Sequence, residues 1–193
     1  MSEIRVEPAT ADRFDAVEHA LSGGGDGRSC QCQWWMLTSK DYAASTLPER
    51  TDLLRREMSY ELPPGLIAEI DGTAAGWVRV GQRTTHPRLA RSRMYGPASA
   101  EPWDDDSVWT ISCFSVRREF RGRGVMAALL AGAVGFARAH GARSIEAYPV
   151  DAEVTEDGVN ELYRGVLTTF LSAGFTETAR PRADRTIVVL NLR

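Results

Sequence analysis

Apolar and polar residues alternate along this chain with two periods. At 125–137, Val125, Ala128, Leu129, Gly132, Ala133, Phe136 and Ala137 recur at helical spacing, and Gly141 supplies a stop. Just before it, Val108, Ile111, Phe114 and Val116 give bulk to a breaker-free run over 108–116, which predicts a strand. Upstream, a short strand over 4–7 precedes a helix over 11–21, with Thr10 as its cap and Phe14, Val17 and Leu21 on one face. Gly23, Gly24, Gly25 and Gly27 then break the pattern, so 22–29 reads as a mobile loop. A second amphipathic helix is predicted over 47–61, with Pro48 in its first turn and Leu53, Leu54 and Met58 facing inward. Two strands, 66–70 and 74–82, flank Asp71-Gly72, a strong hairpin signal. Downstream come a strand over 144–150, an acidic loop over 151–157, a helix over 160–172, and strands over 175–180 and 186–192.

Composition narrows the class without naming a function. A chain of 193 residues, 43% hydrophobic and 25% charged, suits one globular domain, 1–193, with elaborations at about 22–62 and 83–107. The connection over 83–107 is long for a hairpin, which marks it as functional or elaborated. A net charge of −3 gives no general attraction to nucleic acid or to an anionic membrane. The N-terminus lacks an apolar signal region and no apolar run is long enough to span a bilayer, so a cytoplasmic protein is expected. Three cysteines do not make a disulfide framework. Cys30 and Cys32 have no second Cys pair, and the histidines are His19, His86 and His140, so no metal is expected.

The candidate chemistry sits between the strand at 108–116 and the helix at 125–137. Arg117, Arg118, Arg121 and Arg123 surround Gly122 and Gly124 where the helix begins. A helix entrance offers unpaired N–H groups and a positive dipole end, and glycines let that backbone approach a ligand. With arginines adding charge-assisted hydrogen bonds, the loop suits a pyrophosphate. A P-loop is excluded because no GK[ST] follows. Gly122-x-Gly124-x-x-Ala127, with Glu146 downstream, also matches a dinucleotide fingerprint. Against that reading, Arg117 to Arg121 separate strand from glycine, and Glu146 is followed by Ala147 and Tyr148 within its own strand.

Arg121-Gly122-Arg123-Gly124-Val125 resembles the acyl-CoA signature R/Q-x-x-G-x-G/A of the GCN5-related N-acetyltransferases, in that family's place between its fourth strand and third helix. Met126 stands where Gly or Ala is usual. The resemblance continues through Gly76-Trp77-Val78, the strand at 144–150 and Gly174-Phe175, and CQCQWW, PRLARSR and EAYPVD are similar to segments of one bacterial subgroup. It implies an α/β (α+β) fold: a mixed central sheet of about seven strands, flanked by about four helices and splayed between strands four and five. It also implies acetyl-CoA as co-substrate and a primary amine, on a small molecule or peptide, attacking the thioester directly in a ternary complex. Neither nucleic acid nor membrane enters as a partner, and the resemblance leaves room for a homodimer. Phe114, Ser115 and Val116 would offer backbone groups to pantetheine; Arg121, Gly122, Arg123, Gly124, Val125 and Met126 would hold the pyrophosphate.

The chain departs from the family in its acid and base. Phe170 occupies the position of the frequent general-acid tyrosine, and the fourth strand carries no carboxylate. Tyr148, Glu146 and Tyr163 are the substitute candidates, followed by Cys113 and Ser112. Cys32, Trp34 and Trp35 are read either as a half-buried structural segment or as a wall of the acceptor pocket. Arg91, with Arg88 and Arg93, suits a carboxylate or phosphate of the acceptor, the 3′-phosphate of CoA, or a plain surface turn. Two other functions stay open: a non-catalytic acyl-CoA-binding regulatory module, which Phe170 favours, and a dinucleotide-dependent enzyme. The sequence does not name the acceptor.

Overall fold

The computed structural model describes residues 3–155 and 159–192, with only the backbone described at 159–161. In chain order the elements are β1 (Ile4–Pro8), α1 (Phe14–Leu21), α2 (Gly27–Cys30), α3 (Ser39–Ala44), α4 (Leu47–Glu57), β2 (Gly65–Ile70), β3 (Thr73–Gln82), α5 (Pro87–Ala90), β4 (Val108–Val116), α6 (Val125–Ala139), β5 (Ser144–Ala147), α7 (Leu167–Ser172), β6 (Thr176–Arg182) and β7 (Arg185–Asn191). The seven strands form one mixed sheet in the order β1-β2-β3-β4-β5-β7-β6, in which only β4 and β5 run parallel. The β2–β3 hairpin turns at Asp71 and Gly72, with φ of 50° and 75°, the left-handed pair that a two-residue turn between twisted strands requires.

Each face of the sheet buries the stripe that the sequence periodicity marks. On one face, Leu129, Leu130, Ala133 and Ala137 of α6 pack over Leu66, Val78, Val80 and Ile111. On the other, Phe14, Val17 and Leu21 of α1 and Leu54 of α4 cover Ile67 and Trp77, joined by Met58. A fully buried leucine such as Leu129 contributes about 1.5–3 kcal/mol.

β4 is longer than its partner. Val108–Ile111 pair with Ser144–Ala147, whereas residues 113–116 pair only with β3. A register shift opposite Arg79 and Val80 leaves Ser112 as an extra residue where the two strands part. The splay between strands four and five is therefore present, and it frees one edge of Cys113–Val116.

Several segments differ from the sequence expectation: the strand read over 144–150 ends at Ala147, and the helix read over 11–21 opens as a 3-10 turn (Ala11–Arg13) that the Thr10 side chain does not cap. The stretch over 22–29 is not a free loop: it contains α2, Gly23 O accepts from Arg118 N at 3.2 Å, and a Cβ on Gly23 would overlap Arg117. The helix predicted over 47–61 starts at a Thr46–Glu49 capping box but ends at Glu57. The helix predicted over 160–172 is divided at Gly165, whose φ is 86°, into a 3-10 segment (Val159–Arg164) and α7. There the chain runs extended beside Val150, whose N–H donates to Gly165 O at 2.9 Å and whose carbonyl accepts from Leu167 N at 2.9 Å. Of the acidic loop expected over 151–157, Glu156 and Asp157 lie outside the described residues.

Candidate active site

A cavity of about 650 Å³ opens along the free edge of β4. At one end lie Arg121, Gly122, Gly124, Val125, Met126 and Ala127. Gly122 and Gly124 have φ of 71° and 81°, and a Cβ at either would meet nothing within 4 Å. Both positions therefore combine a backbone that only glycine adopts easily with open space beside it. Gly124 is the N-cap of the fifteen-residue α6, and no side chain caps that helix. The entrance thus presents unpaired N–H groups and the positive dipole end to the cavity, a fit for a pyrophosphate.

The arginines around the loop divide by role. Arg121 is exposed and lines the cavity. Arg117 is held by Glu119 at 2.7 Å and by the carbonyl of His19, so it ties the loop to α1. Arg123 is exposed, 5.4 Å from the Phe120 ring centroid, and does not line the cavity.

Cys113, Phe114, Ser115 and Val116 form the middle of the cavity wall. Cys30, Cys32, Trp34, Trp35 and Tyr42 make an aromatic, sulfur-rich part of the wall, and Leu162, Tyr163, Arg164 and Val166 also line the cavity, with Gly165 packed close to Met126 and Phe114. Trp34 and Tyr42 stack edge-on at 5.0 Å. Arg88 lies 3.8 Å from the Trp34 ring centroid and donates to the carbonyls of Leu37 and Thr38, which braces the wall from behind. Arg164 stands 4.9 Å from the Trp35 centroid and 5.0 Å from that of Tyr163.

Beneath that wall lies a buried thiol cluster. Cys32 Sγ accepts hydrogen bonds from Trp77 Nε1 at 3.2 Å and Arg79 Nε at 3.3 Å. Arg79 also donates to Glu57 at 2.6 Å, and Gln33 donates to the same carboxylate at 3.2 Å. Burial pushes the Cys32 thiol up, but the Cys113 S–H, the Arg79 charge and N–H, and the Trp77 N–H outweigh it and hold the group below the ordinary thiol range. Cys113 moves the opposite way, well up, because the neighbouring Cys32 sulfur and the loss of water around it disfavour its thiolate. Gln31 and Cys32 are both left-handed, with φ of 50° and 55°, a backbone that costs about 1–2 kcal/mol for each such residue.

Of the residues singled out in the sequence, the cavity gathers Phe114, Ser115, Val116, Arg121, Gly122, Gly124, Val125, Met126, Cys32, Trp34, Trp35 and Tyr163. It does not gather Arg123, Arg91, Tyr148 or Glu146. Arg91 is exposed on the surface after α5. Glu146 is 1% exposed, with its carboxylate taken by Arg83 Nη1 at 2.7 Å, Ser99 Oγ at 2.7 Å and Tyr148 OH at 2.5 Å. Burial and the Glu146 carboxylate push the Tyr148 phenol well above its usual range. Phe170 is fully buried, with its ring 6.0 Å from that of Phe114 and 5.1 Å from that of Phe175. Tyr42, Arg79 and Arg164 belong to no motif that points to this cavity. The one signal for Arg79 was a charge inside the apolar run of β3, which demands a buried partner. Among the described residues, no three His, Cys, Asp or Glu side chains converge as metal ligands would, and no helix is long and apolar enough to cross a membrane.

Residues 31–165 match the acetyltransferase (GNAT) family. The fold is similar to that of a ribosomal-protein-alanine N-acetyltransferase from Brucella melitensis, with a TM-score of 0.58, 17% identity, and coverage of 97% of this chain and 99% of that one. It is similar to yncA of Salmonella typhimurium, solved with its cofactor acetyl-CoA, with a TM-score of 0.56, 15% identity, and 98% and 94% coverage. Diaminobutyrate acetyltransferase from Paenibacillus lautus, in complex with L-2,4-diaminobutyric acid and coenzyme A, has a TM-score of 0.53 and 16% identity, with 99% and 96% coverage. No curated protein sequence matches the chain.

Proposed function

The chain belongs to the acetyltransferase (GNAT) family, and from that premise we propose that it moves an acetyl group from acetyl-CoA to a primary amine of a small-molecule or peptide acceptor. One observation carries this reading: the uncapped glycine entrance of α6, the unpaired edge of β4 and the aromatic wall all line the same cavity. In this reading Arg121 and the backbone of Gly122, Gly124, Val125 and Met126 hold the pyrophosphate. Pantetheine pairs with the free edge of Phe114–Val116 as an added strand would. That sequence of contacts brings the thioester toward Cys113 and the aromatic end, where Trp34, Trp35 and Tyr42 shape the acceptor pocket. Arg123 adds positive charge at the loop without lining the cavity.

The transfer needs an amine stripped of its proton and a proton for the departing CoA thiolate. Tyr42 and Tyr163 are phenols that line the acceptor end; burial and the neighbouring Cys30 push Tyr42 up to about 12, and we assign the second task to Tyr163. Tyr148 and Glu146 are set aside for these roles, because each spends its polar atoms on the buried Arg83 cluster. Asp26 is the only carboxylate among the described lining residues, on the glycine-rich segment beside α2.

A screen of small amines and peptide N-termini against acetyl-CoA, read as free thiol released, tests the proposal. Amine-dependent release is the expected result. Binding of acetyl-CoA without release from any amine would favour a regulatory acyl-CoA-binding module, to which Phe170 lends some support. A nucleotide cofactor bound in place of CoA would instead favour the dinucleotide reading.

A further inference from the structure

Trp34 lines the cavity and is still 38% exposed, an uncommon place for a large apolar ring. Its ring neighbours hold it edge-on: Trp35 at 6.4 Å and 74°, Tyr42 at 5.0 Å and 83°. Each ring of this wall also carries a guanidinium. Arg88 lies 3.8 Å from the Trp34 centroid and 5.3 Å from that of Tyr42, fixed by the carbonyls of Leu37 and Thr38. Arg50 lies 4.9 Å from the Tyr42 centroid, fixed by the carbonyls of Ser29 and Ser45. Arg164 lies 4.9 Å from the Trp35 centroid and 5.0 Å from that of Tyr163. The negative ring faces that would attract a cationic ligand are thus already engaged by the protein's own cations.

The anions nearby do not offset this. Arg88 and Arg50 spend their N–H groups on neutral carbonyls, which leave their charge in place. The Tyr42 phenol is pushed up by burial and by Cys30, so the ring stays neutral. The Cys32 sulfur is turned to the N–H groups of Trp77 and Arg79. Asp26, the one carboxylate among the described lining residues, belongs to the glycine-rich segment whose Gly24 packs beside Arg118 and Arg121. We propose that the acceptor is an amine borne on an uncharged aromatic ring that packs on Trp34, and that this wall discriminates against amines with a second positive charge. This rests on the acetyltransferase reading given above and names the substrate class of that same site. A neutral ring buries its apolar surface against the indole and pairs with it edge-on or offset, with no like charge to meet. The same guanidiniums disfavour the ammonium form of the bound amine, which helps supply the neutral nucleophile that direct transfer needs.

Thiol release from acetyl-CoA with matched pairs of amines tests this on the wild-type chain. Phenethylamine should exceed cyclohexylethylamine in kcat/KM by about two- to tenfold, the gain an aromatic pair brings beyond its buried area. Butylamine should exceed diaminobutane by about tenfold or more, because only the diamine brings a second charge to the wall. Trp34→Ala should raise KM for phenethylamine by about tenfold, the mark of lost binding, while kcat and calorimetric acetyl-CoA affinity stay as in wild type. Trp34→Phe should keep most of the wild-type KM. Trp34 is exposed, so both variants should fold, and the amine pairs give their answer without them. Equal use of the two ring amines, diaminobutane matching butylamine, or an unchanged KM in Trp34→Ala would overturn this inference and leave the proposed function standing. So would release with other amines but none with phenethylamine. Release with no amine at all would overturn both.

Discussion

Replacing Glu146 by alanine removes the acceptor at the centre of a buried cluster and leaves the Arg83 guanidinium without its counter-charge. The side chains of Arg83 and Glu146 are 0% and 1% exposed, and the same carboxylate accepts from Ser99 and Tyr148. Breaking a buried pair by removing one partner costs roughly 3–5 kcal/mol, because the remaining charge stays desolvated. Arg83 keeps donors on the Glu101 and Pro102 carbonyls and lies 4.1 Å from the Trp103 ring centroid, so it cannot turn out to water cheaply. Against a total stability of about 5–15 kcal/mol, the loss is a large fraction. For a chain of this length it should lower the melting temperature by roughly 6–20 °C, at about 2–4 °C per kcal/mol. The double variant Arg83→Met/Glu146→Leu removes both charges and should recover much of that loss. Differential scanning calorimetry on the three proteins measures this, with acetyl-CoA affinity as the control. A Glu146→Ala protein that melts like wild type but has lost all turnover would refute the reasoning and restore Glu146 as a catalytic group.

Other perturbations follow from the same geometry. Burial, and then the charge of Arg79, hold His86 down to about 3 from an ordinary value of 6.5. The unfolded chain therefore binds the extra proton first, and stability should fall by about 1.4 kcal/mol per pH unit as pH drops below about 6.5. Urea unfolding at a series of pH values should show a flatter decline for His86→Gln; an identical slope would contradict the assignment. Gly165→Ala should destabilise by about 1–3 kcal/mol, because its φ is 86° and a Cβ would come 2.6 Å from Phe170 and 2.8 Å from Met126. The same variant should weaken acetyl-CoA binding, since Met126 lines the cavity, and chemical denaturation with calorimetry reads both effects. Protein purified without added metal should carry none at Cys30 and Cys32 by elemental analysis; stoichiometric zinc lost in Cys30→Ser would overturn that reading.

What the sequence made legible was local. The stripe on α6, the Asp71-Gly72 turn and the glycine-arginine entrance each lie within one short window, where periodicity and backbone chemistry speak directly. The gathering of Cys32, Trp34 and Trp35 at the cavity is also consistent with one of the two readings drawn from the segment itself. What stayed hidden depends on residues far apart in the chain. Glu146 and Tyr148 looked available for acid–base work until Arg83, 63 residues before Glu146, was seen to take the carboxylate. Cys32 looked like pocket lining until Arg79 and Trp77, 47 and 45 residues on, were found on its sulfur. The glycine run over 22–29 looked unstructured because nothing local reveals that β4's following loop would pack against it. Gly165 inside an apolar period gave no warning that the chain there would leave the helix and pair with Val150.

The proposed function requires the α6 entrance to hold the pyrophosphate of acetyl-CoA. Isothermal titration of acetyl-CoA into the wild-type chain and into Arg121→Ala asks this most directly. Arg121 is exposed, so its removal should leave the fold intact. A charge-assisted hydrogen bond contributes roughly 1.5–3 kcal/mol, so affinity should fall by roughly ten- to a hundredfold, and part of the difference should shrink at high salt. Unchanged affinity in a well-folded Arg121→Ala protein, or no binding by the wild type, would contradict the assignment of this cavity.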